Sequence, residues 1–591
     1  MTNKEVAVML REVAAAFVIK NENRFRIIAY ERAADSIEHQ TQSVEELWKE
    51  GKIKEIPGIG PNIAQHLGEL FTKGKVAHFE NEKKGLPKAM FSLLNLPGFG
   101  AKKAFKLTRE LNIKDSDDPF KKLKEAAQAN KIASIEGFGE KSEQDILTSL
   151  ESFQKKEAKL SRMLLPIAYD IATRVINYLK KSNSVIEIYP LGSLRRMVAT
   201  VGDIDIAISS NQAEKVIEYF LKFPEVGKII DKGKETTSVV LKNGVQVDIM
   251  VQPEIAFGAL LQHFTGSKHH NIALREYALK KDLSLSEHGI KDLKRAKEQK
   301  SKEFSNEEVF YNFLGLDWIP PELREDTGEI EAAQKHNLPN LVELSDIKGD
   351  LHLHSNYDLK PSHDLGHNSF LEILNKATEL KYEYIAFSEH NPKQSGHNIS
   401  DIIDIIKRRK QTIDKINYSL KSDRVHFFNM METDILPNGY LALPKQTFEY
   451  IDATIISIHS SFDQSSSDMT KRILKALSYS KVKIFGHPTG RLIERREGVN
   501  ANWFEIFNFC KAKNIALEIN ANPNRLDLPD MLVREAVKNG NKFVIDTDAH
   551  QINEMNLMRF GVSVARRGWL EKNDILNTLP YSEFKKWLLN L

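Results

Sequence analysis

The stretch from Leu191 to Ile208, LGSLRRMVATVGDIDIAI, carries three signals in succession. A Gly-Ser turn comes first, followed by Arg195 and Arg196. A short loop leads to Gly202, and Asp203-Ile-Asp205-Ile-Ala-Ile then opens a strand. Side chains alternate faces along a strand, so Asp203 and Asp205 point one way while Ile204 and Ile206 point into a core. Two adjacent carboxylates repel, and a hard divalent cation such as Mg²⁺ relieves the repulsion. The same alternation would also suit an edge strand with a solvated acidic face. The turn upstream favours the metal, because Gly192, Ser193 and Arg196 supply N–H groups, a hydroxyl and a cation suited to a triphosphate tail.

A third carboxylate is expected nearby. Asp248, within Val245-Gln-Val-Asp-Ile-Met-Val251, is one acid in an otherwise apolar strand. Asn243-Gly244 before it is a hairpin signal that pairs this strand with residues 237–242. Three such aspartates can hold two Mg²⁺ about 4 Å apart, which stabilise both oxygens of an in-line phosphoryl transfer. These residues resemble the palm of the family X DNA polymerases, a nucleotidyltransferase fold.

The whole chain bounds the reading. At 591 residues it is too long for one core. Its 28% charged and 41% hydrophobic residues are those of globular material. A net charge of +3 announces no overall basic field, although lysine clusters in the first half. The single cysteine, Cys510, excludes internal disulfides and suits a reducing cytosol. The amino terminus is charged and amphipathic, and no apolar run reaches the roughly 18–20 residues of a membrane span. A cytoplasmic monomer without membrane contact is expected.

Residues 4–49 show helical apolar spacing through Val6, Met9, Leu10, Val13 and Phe17. Three related turns come next: Gly58-Ile-Gly60, Gly98-Phe-Gly100 and Gly137-Phe-Gly139. In each, an apolar residue precedes the turn and a helix is expected after it. The glycines permit a tight turn, and the free N–H groups of the next helix can hold a DNA phosphate without reading sequence. This is the helix-hairpin-helix pattern. In family X polymerases the first such motif grips the downstream 5′ end, and some members carry a Schiff-base lysine there. Aligned on Gly74-Lys75, that lysine position holds Asn81, with Lys83 and Lys84 as neighbours, so lyase activity is not carried over.

Residues 151–181 read as helical. Arg162 stands where the polymerases keep a triphosphate-contacting arginine, and it equally fits a surface helix charge. Beyond the palm, Phe264-Thr-Gly266-Ser with Asn271 and Arg275 resembles the family's nucleotide-sugar gate and minor-groove contacts. The resemblance implies that Phe264 and the backbone at Gly266 pack on deoxyribose. Asn271 and Arg275, four apart on one helix face, would touch base and template. His263 stands where relatives often have tyrosine, which leaves ribonucleotide exclusion open.

From Lys348 the pattern changes to alternating apolar strands and charged helices, as in repeated βα units. His352 and His354 share one strand face. His390, Glu432, His459, His487, Asp548 and His550 each end an apolar stretch, and strand ends converge in a βα barrel. This half resembles the PHP domain of polymerases and histidinol phosphatases, a metal-dependent phosphoesterase. The resemblance implies three metals. His352, His354, Glu432 and Asp548 hold the first; Glu432 bridges to a second with His459 and His487; His390 and His550 hold the third with one aspartate. Asp358 keeps nearly the family spacing for that aspartate. Asp364 better matches the family in the residues after it, and is preferred. Imidazole-rich sites suit Zn²⁺ or Mn²⁺.

The expected architecture is therefore multidomain. A helical amino-terminal domain (1–90) precedes a helical fingers domain (91–150) with two further motifs. Then come an α+β palm (151–258), a thumb (259–324), a linker (325–345) and a carboxy-terminal α/β distorted barrel (346–591). The expected function is short gap filling in DNA repair from deoxynucleoside triphosphates, with 3′-5′ exonuclease and further abasic-site or 3′-phosphatase activity. The rival readings are a DNA-end-binding scaffold and a non-DNA nucleotidyltransferase fused to a phosphatase.

Overall fold

A computed structural model describes residues 1, 3–38, 44–49, 51–56, 58–94, 96, 99–139, 142–144, 146–147, 150, 162–294, 301–419 and 425–591. Gly98 and residues 151–161 lie outside the described residues. The chain divides into two compact units. The first comprises Met1–Met163, Ile167–Leu194 and Thr200–Phe257, and the second holds the remainder, chiefly Gly258–Leu591.

The first unit begins with helices around two apolar cores. One core packs Val6, Leu10 and Phe17 against Ile56, Ile59, Ile63 and Leu67. The other packs Leu96, Phe99 and Leu107 against Leu123, Ile132 and Ile146. The apolar residues beside the glycine turns thus anchor each hairpin. The palm is a five-stranded mixed sheet in the order Glu187–Pro190, Ile204–Ser209, Gln246–Gln252, Thr236–Leu241, Val226–Lys232. The Asn243-Gly244 hairpin forms as expected, with Gly244 at φ 93° and its N–H donating to Leu241 O over 2.8 Å. The second and third strands of this sheet are parallel, in a register that sets Asp205 beside Asp248.

The second unit contains the thumb helices and the barrel. Seven parallel strands run in sequence order: Gly349–Leu353, Tyr384–Phe387, His426–Asp434, Ala453–Ser457, Val482–Phe485, Ala516–Asn520 and Phe543–Asp546. A parallel bridge from Leu353 to Ala549 brings the last strand round to the first, so the sheet nearly closes. Strands that are apolar on both faces belong in such a buried parallel sheet. Tyr384–Phe387, Ala453–Ser457, Val482–Phe485 and Phe543–Asp546 are of this kind, buried along their whole length and chiefly aliphatic or aromatic. Residues 325–345, expected as a linker, instead fold into this unit. They form the helix Glu329–Gln334, Glu329 is fully buried against His270, and Val342 bonds Leu570. Among the described residues no helix is long and apolar enough to cross a membrane.

Candidate active sites

The first cluster grows out of the palm register. Asp203, Asp205 and Asp248 present carboxylate oxygens that all lie within 4.8 Å of one another. Ile204 and Ile206 on the opposite face are fully buried, which fixes the direction of the acids. Burial first, and then the Asp203 and Asp248 carboxylates, push Asp205 up to about 7. Carboxylates this close repel one another, and a cation among them would relieve the repulsion. Gln246 Nε2 donates to both Asp248 oxygens at 3.1 and 3.0 Å and orients them.

The turn ahead of the strand is built against these acids. Gly192 has φ +57°, and a Cβ there would stand 3.2 Å from Asp205 Oδ2. A side chain at that position would fill the space where a ligand meets the acids. Ser193 comes directly after it on the same turn. Arg162 lies just ahead of a short strand and not on a helix. Its guanidinium holds Thr200 through Nε at 2.8 Å, and a Cβ on Gly202 would meet its Nη1 at 3.5 Å.

In the second unit, Arg196 is braced by Glu325 at 2.9 Å and the Thr265 carbonyl at 2.6 Å, against the backbone of Gly266. Phe264 stands edge-on to His263, with ring centroids 4.8 Å apart. Asn271 donates to His263 O at 2.7 Å and accepts from Gln262 at 2.9 Å, while Arg275 is exposed. Phe264 and Asn271 thus both meet His263, while Gly266 lies against Arg196.

The glycine turns divide their labour. Gly58 has φ +81°, and a Cβ there would stand 3.3 Å from the Arg32 backbone; it serves the chain. Gly60 and Gly100 cap the helices Pro61–Lys73 and Ala101–Glu110, and a Cβ on either meets nothing within 4 Å. Gly137 and Gly139 repeat the pattern, with φ +82° at the first and open space at the second.

The second cluster sits at the carboxyl ends of the barrel strands. His352, His354, Glu432 and Asp548 bring ligand atoms within 4.8 Å of one another; so do His354, His390 and His550, and so do His390, Glu432 and His459. His487 Nε2 lies 2.9 Å from Glu432 Oε1. Glu432, fully buried, is therefore the hub. Burial alone would raise its pKa, yet His390, His352 and His459 hold it well below the carboxylate range. Burial and the neighbouring His550 and His390 push His354 well below the ordinary imidazole value. His459 rises to about 9: burial opposes this, and the Glu432 and Asp434 carboxylates outweigh it.

Among the described residues, His352 Nε2, His354 Nε2, His390 Nδ1 and Glu432 Oε2 are buried without a hydrogen-bond partner. His390 Nδ1 lies 2.8 Å from Glu432 Oε2, but the pair is not directed as a hydrogen bond. Buried polar atoms are rarely left so. Lone pairs converging from imidazoles and carboxylates fit divalent cations.

Two expected features fall elsewhere. Asp364 is exposed and joins none of these groups, and Asp358 pairs with Lys360 at 2.5 Å. The loop instead delivers His363, which lies 3.1 Å from Asp434 in a group with His459. Glu389, beside His390, turns away to a buried ion pair with Arg409.

Sequence reasoning also missed the outer carboxylates. Glu518 Oε1 holds His352 Nδ1 at 2.6 Å, Asp434 Oδ1 holds His459 Nδ1 at 2.6 Å, and Asn520 spans Glu518 and Asp548 at 3.1 and 3.2 Å. Such partners fix the tautomer and direction of a ligating imidazole. The signal was present. Glu518 is an acid in an apolar strand, like Asp248, and Asp434 lies two residues from Glu432 on one strand.

Comparison with known proteins gives matches across this architecture. Residues 1–76 match a helix-hairpin-helix domain family, and residues 260–325 match the DNA polymerase beta thumb family. A Bacillus subtilis protein, DNA polymerase/3′-5′ exonuclease PolX, is 33% identical over 592 aligned residues, covering 100% of this chain and 99% of that one. Rat DNA polymerase lambda is 23% identical over 49% of each chain. The Arabidopsis thaliana DNA polymerase lambda is 22% identical over 54% of this chain and 62% of its own.

Proposed function

This chain belongs to the family X DNA polymerases of the PolX type, and we propose that its two activities are divided between the two clusters. It is a DNA-directed DNA polymerase and 3′-5′ exonuclease of DNA repair, using divalent metal ions, DNA and deoxynucleoside triphosphates. The observation that carries the division is the pairing, in one chain, of an acidic triad with a separate imidazole-rich cluster.

In this reading Asp203, Asp205 and Asp248 hold two Mg²⁺ ions. Ions held there would supply charge neutralisation to the phosphoryl transfer. Gly192 and Ser193 offer N–H and hydroxyl donors to the triphosphate, and Arg162 and Arg196 offer cations. Gln246 keeps Asp248 aimed at the site. Phe264 and the Gly266 backbone pack on the deoxyribose, while Asn271 and Arg275 reach the minor groove. Gly60, Gly100 and Gly139 let phosphates approach the helix starts behind them.

His352, His354, His390, Glu432, His459, His487, Asp548 and His550 hold up to three Mn²⁺ or Zn²⁺ ions. Such ions supply Lewis acidity that brings water within reach of deprotonation near neutral pH. Glu518 and Asp434 orient His352 and His459 through their Nδ1 atoms. Cleavage at abasic sites or removal of a 3′-phosphate would use the same site. The enzyme acts on gapped DNA as a cytoplasmic monomer in this proposal. The test is a gapped substrate with a labelled primer, assayed in Mg²⁺ and in Mn²⁺. Extension should vanish in Asp248→Ala and excision in Glu432→Ala, each variant keeping the other activity.

A further inference from the structure

Three arginines, Arg491, Arg496 and Arg525, lie on the loops after the fifth and sixth barrel strands, and the first two are bonded to backbone carbonyls. Arg491 donates to the carbonyls of Arg525 and Leu526, at 2.7 Å for the first. Arg496 donates twice to Gly490 O, at 3.0 and 2.7 Å, and lies over the Phe462 ring at 3.6 Å. Arg525 is different. Its side chain is only 17% exposed, and its Nη1 is buried with no hydrogen-bond partner among the described residues. The nearest acid, Asp548, lies 3.6 Å from Arg525 Nε, beyond hydrogen-bond range. Asp548 Oδ2 already accepts from Asn520 Nδ2 at 3.2 Å, and its Oδ1 faces His354 Nε2 across 3.2 Å.

The loop that carries Arg525 is pinned. It comes after the strand Ala516–Asn520, at the ligand-bearing end of the barrel. Asn522 N donates to Asn520 Oδ1, Asn524 N to Asn522 Oδ1, and Arg525 N to Asn522 O. Arg491 clamps the Arg525 carbonyl. The guanidinium is thus held beside Asp548, and close enough to His487 to depress its pKa further after burial. A buried charged donor with no acceptor is costly to leave so. A guanidinium stays protonated and cannot serve as a metal ligand, and its planar fork matches the oxygens of a phosphate.

We propose that Arg525 grips a non-bridging oxygen of the scissile phosphodiester in 3′-5′ excision, which makes it a catalytic residue. The inference rests on the reading of the barrel as the nuclease. In that reaction the hydroxyl of water is added to phosphorus, and the bond from phosphorus to the preceding nucleotide's 3′ oxygen breaks. The other proton of water goes to that oxygen. Arg525 exchanges no proton; it stabilises the charge that gathers on the phosphoryl oxygens as the bonds change.

The test uses the full chain with Arg525→Ala and Arg525→Lys, and Glu432→Ala as reference. Arg525→Ala should lower kcat for Mn²⁺-dependent excision of a labelled single strand about 100-fold, as loss of an oxyanion donor does. Competitive inhibition of excision by inorganic phosphate should weaken at least about tenfold, because the same fork holds the free anion. Metal content by mass spectrometry and primer extension should match wild type. Arg525→Lys should recover part of the rate, since lysine keeps the charge and loses the fork. Excision within threefold of wild type in Arg525→Ala would overturn the proposal. So would a loss of metal content in parallel with activity, because Arg525 would then brace Asp548 only. Undiminished excision in Glu432→Ala would instead overturn the nuclease reading beneath it.

Discussion

The palm triad and the barrel cluster solve one electrostatic problem in opposite ways. The palm gathers three carboxylates, exposed or half-buried, on one parallel register. Gln246 offsets only part of their repulsion, and Asp205 keeps a proton up to about pH 7. The barrel mixes two buried carboxylates with six imidazoles, and its charges partly cancel within the site. Among the described residues, His352 Nε2, His354 Nε2 and His390 Nδ1 are buried without a hydrogen-bond partner, as nitrogens that would face cations are. An open acidic site leaves coordination for the incoming substrate and its Mg²⁺ to complete. A closed imidazole-rich site is organised before substrate arrives, by carboxylates one layer further out.

The sharpest way to break this comparison is a double dissociation. Asp248→Ala should lower primer extension, and Glu432→Ala should lower excision, each by more than the roughly 100-fold upper end of outer-partner changes. Each should leave the other activity within about twofold. Loss of both activities in either variant would mean that the sites are not independent. Glu518→Gln comes next, because it keeps the shape at His352 Nδ1 but removes the charge. Excision and Mn²⁺ affinity should fall about 10–100-fold, with extension unaffected. An unchanged Mn²⁺ titration would show that His352 needs no such partner.

The third difference is in pH. Asp205 titrates at about 7 in the folded chain and near 4 when unfolded. The metal-free fold therefore loses stability as pH rises from about 4 to about 7, since the native state holds the extra proton over that window. A proton also competes with the cation, so the Mg²⁺ affinity of the palm should rise as pH passes through 7. Calorimetric titration of Glu432→Ala with Mg²⁺ at pH 6 and pH 8 checks this; equal affinities would remove Asp205 from the site.

The smallest effect belongs to the glycine turns. Gly60→Ala meets nothing within 4 Å at its Cβ, so the cost should be that of a weaker helix cap, about 0.5–1 kcal/mol. Gapped-DNA affinity should fall a few-fold for every sequence alike. Gly58→Ala, at φ +81° against the Arg32 backbone, should cost about 1 kcal/mol or more in a denaturant midpoint. If the two effects were reversed, the first glycine would serve the DNA and the second the chain.

Much of this was legible in one dimension because strands and tight turns have rigid local rules. Period-two alternation in Asp203-Ile-Asp205 and Val247-Asp248-Ile249 decides which way the acids point. Asn243-Gly244 decides the hairpin, and strand-end histidines converge wherever parallel strands close a barrel. Glu518 and Asp434 obeyed those same rules and were overlooked.

What the sequence determined by itself is therefore the set of elements and the faces of their regular residues. The tertiary structure decided the rest. The loop from Ser355 to Gly366 has no period, so only its packing could choose His363 over Asp358 and Asp364. Residues 325–345 carry a weak local signal, and burial of Glu329 against His270 made them part of a core. Glu518 reaches His352 across 166 positions of chain, a contact that exists only because the seventh strand returns to the first. The physical reason is common to all three. Periodicity is a property of the backbone alone, whereas a loop side chain and a distant partner find their places only through the free energy of the closed fold.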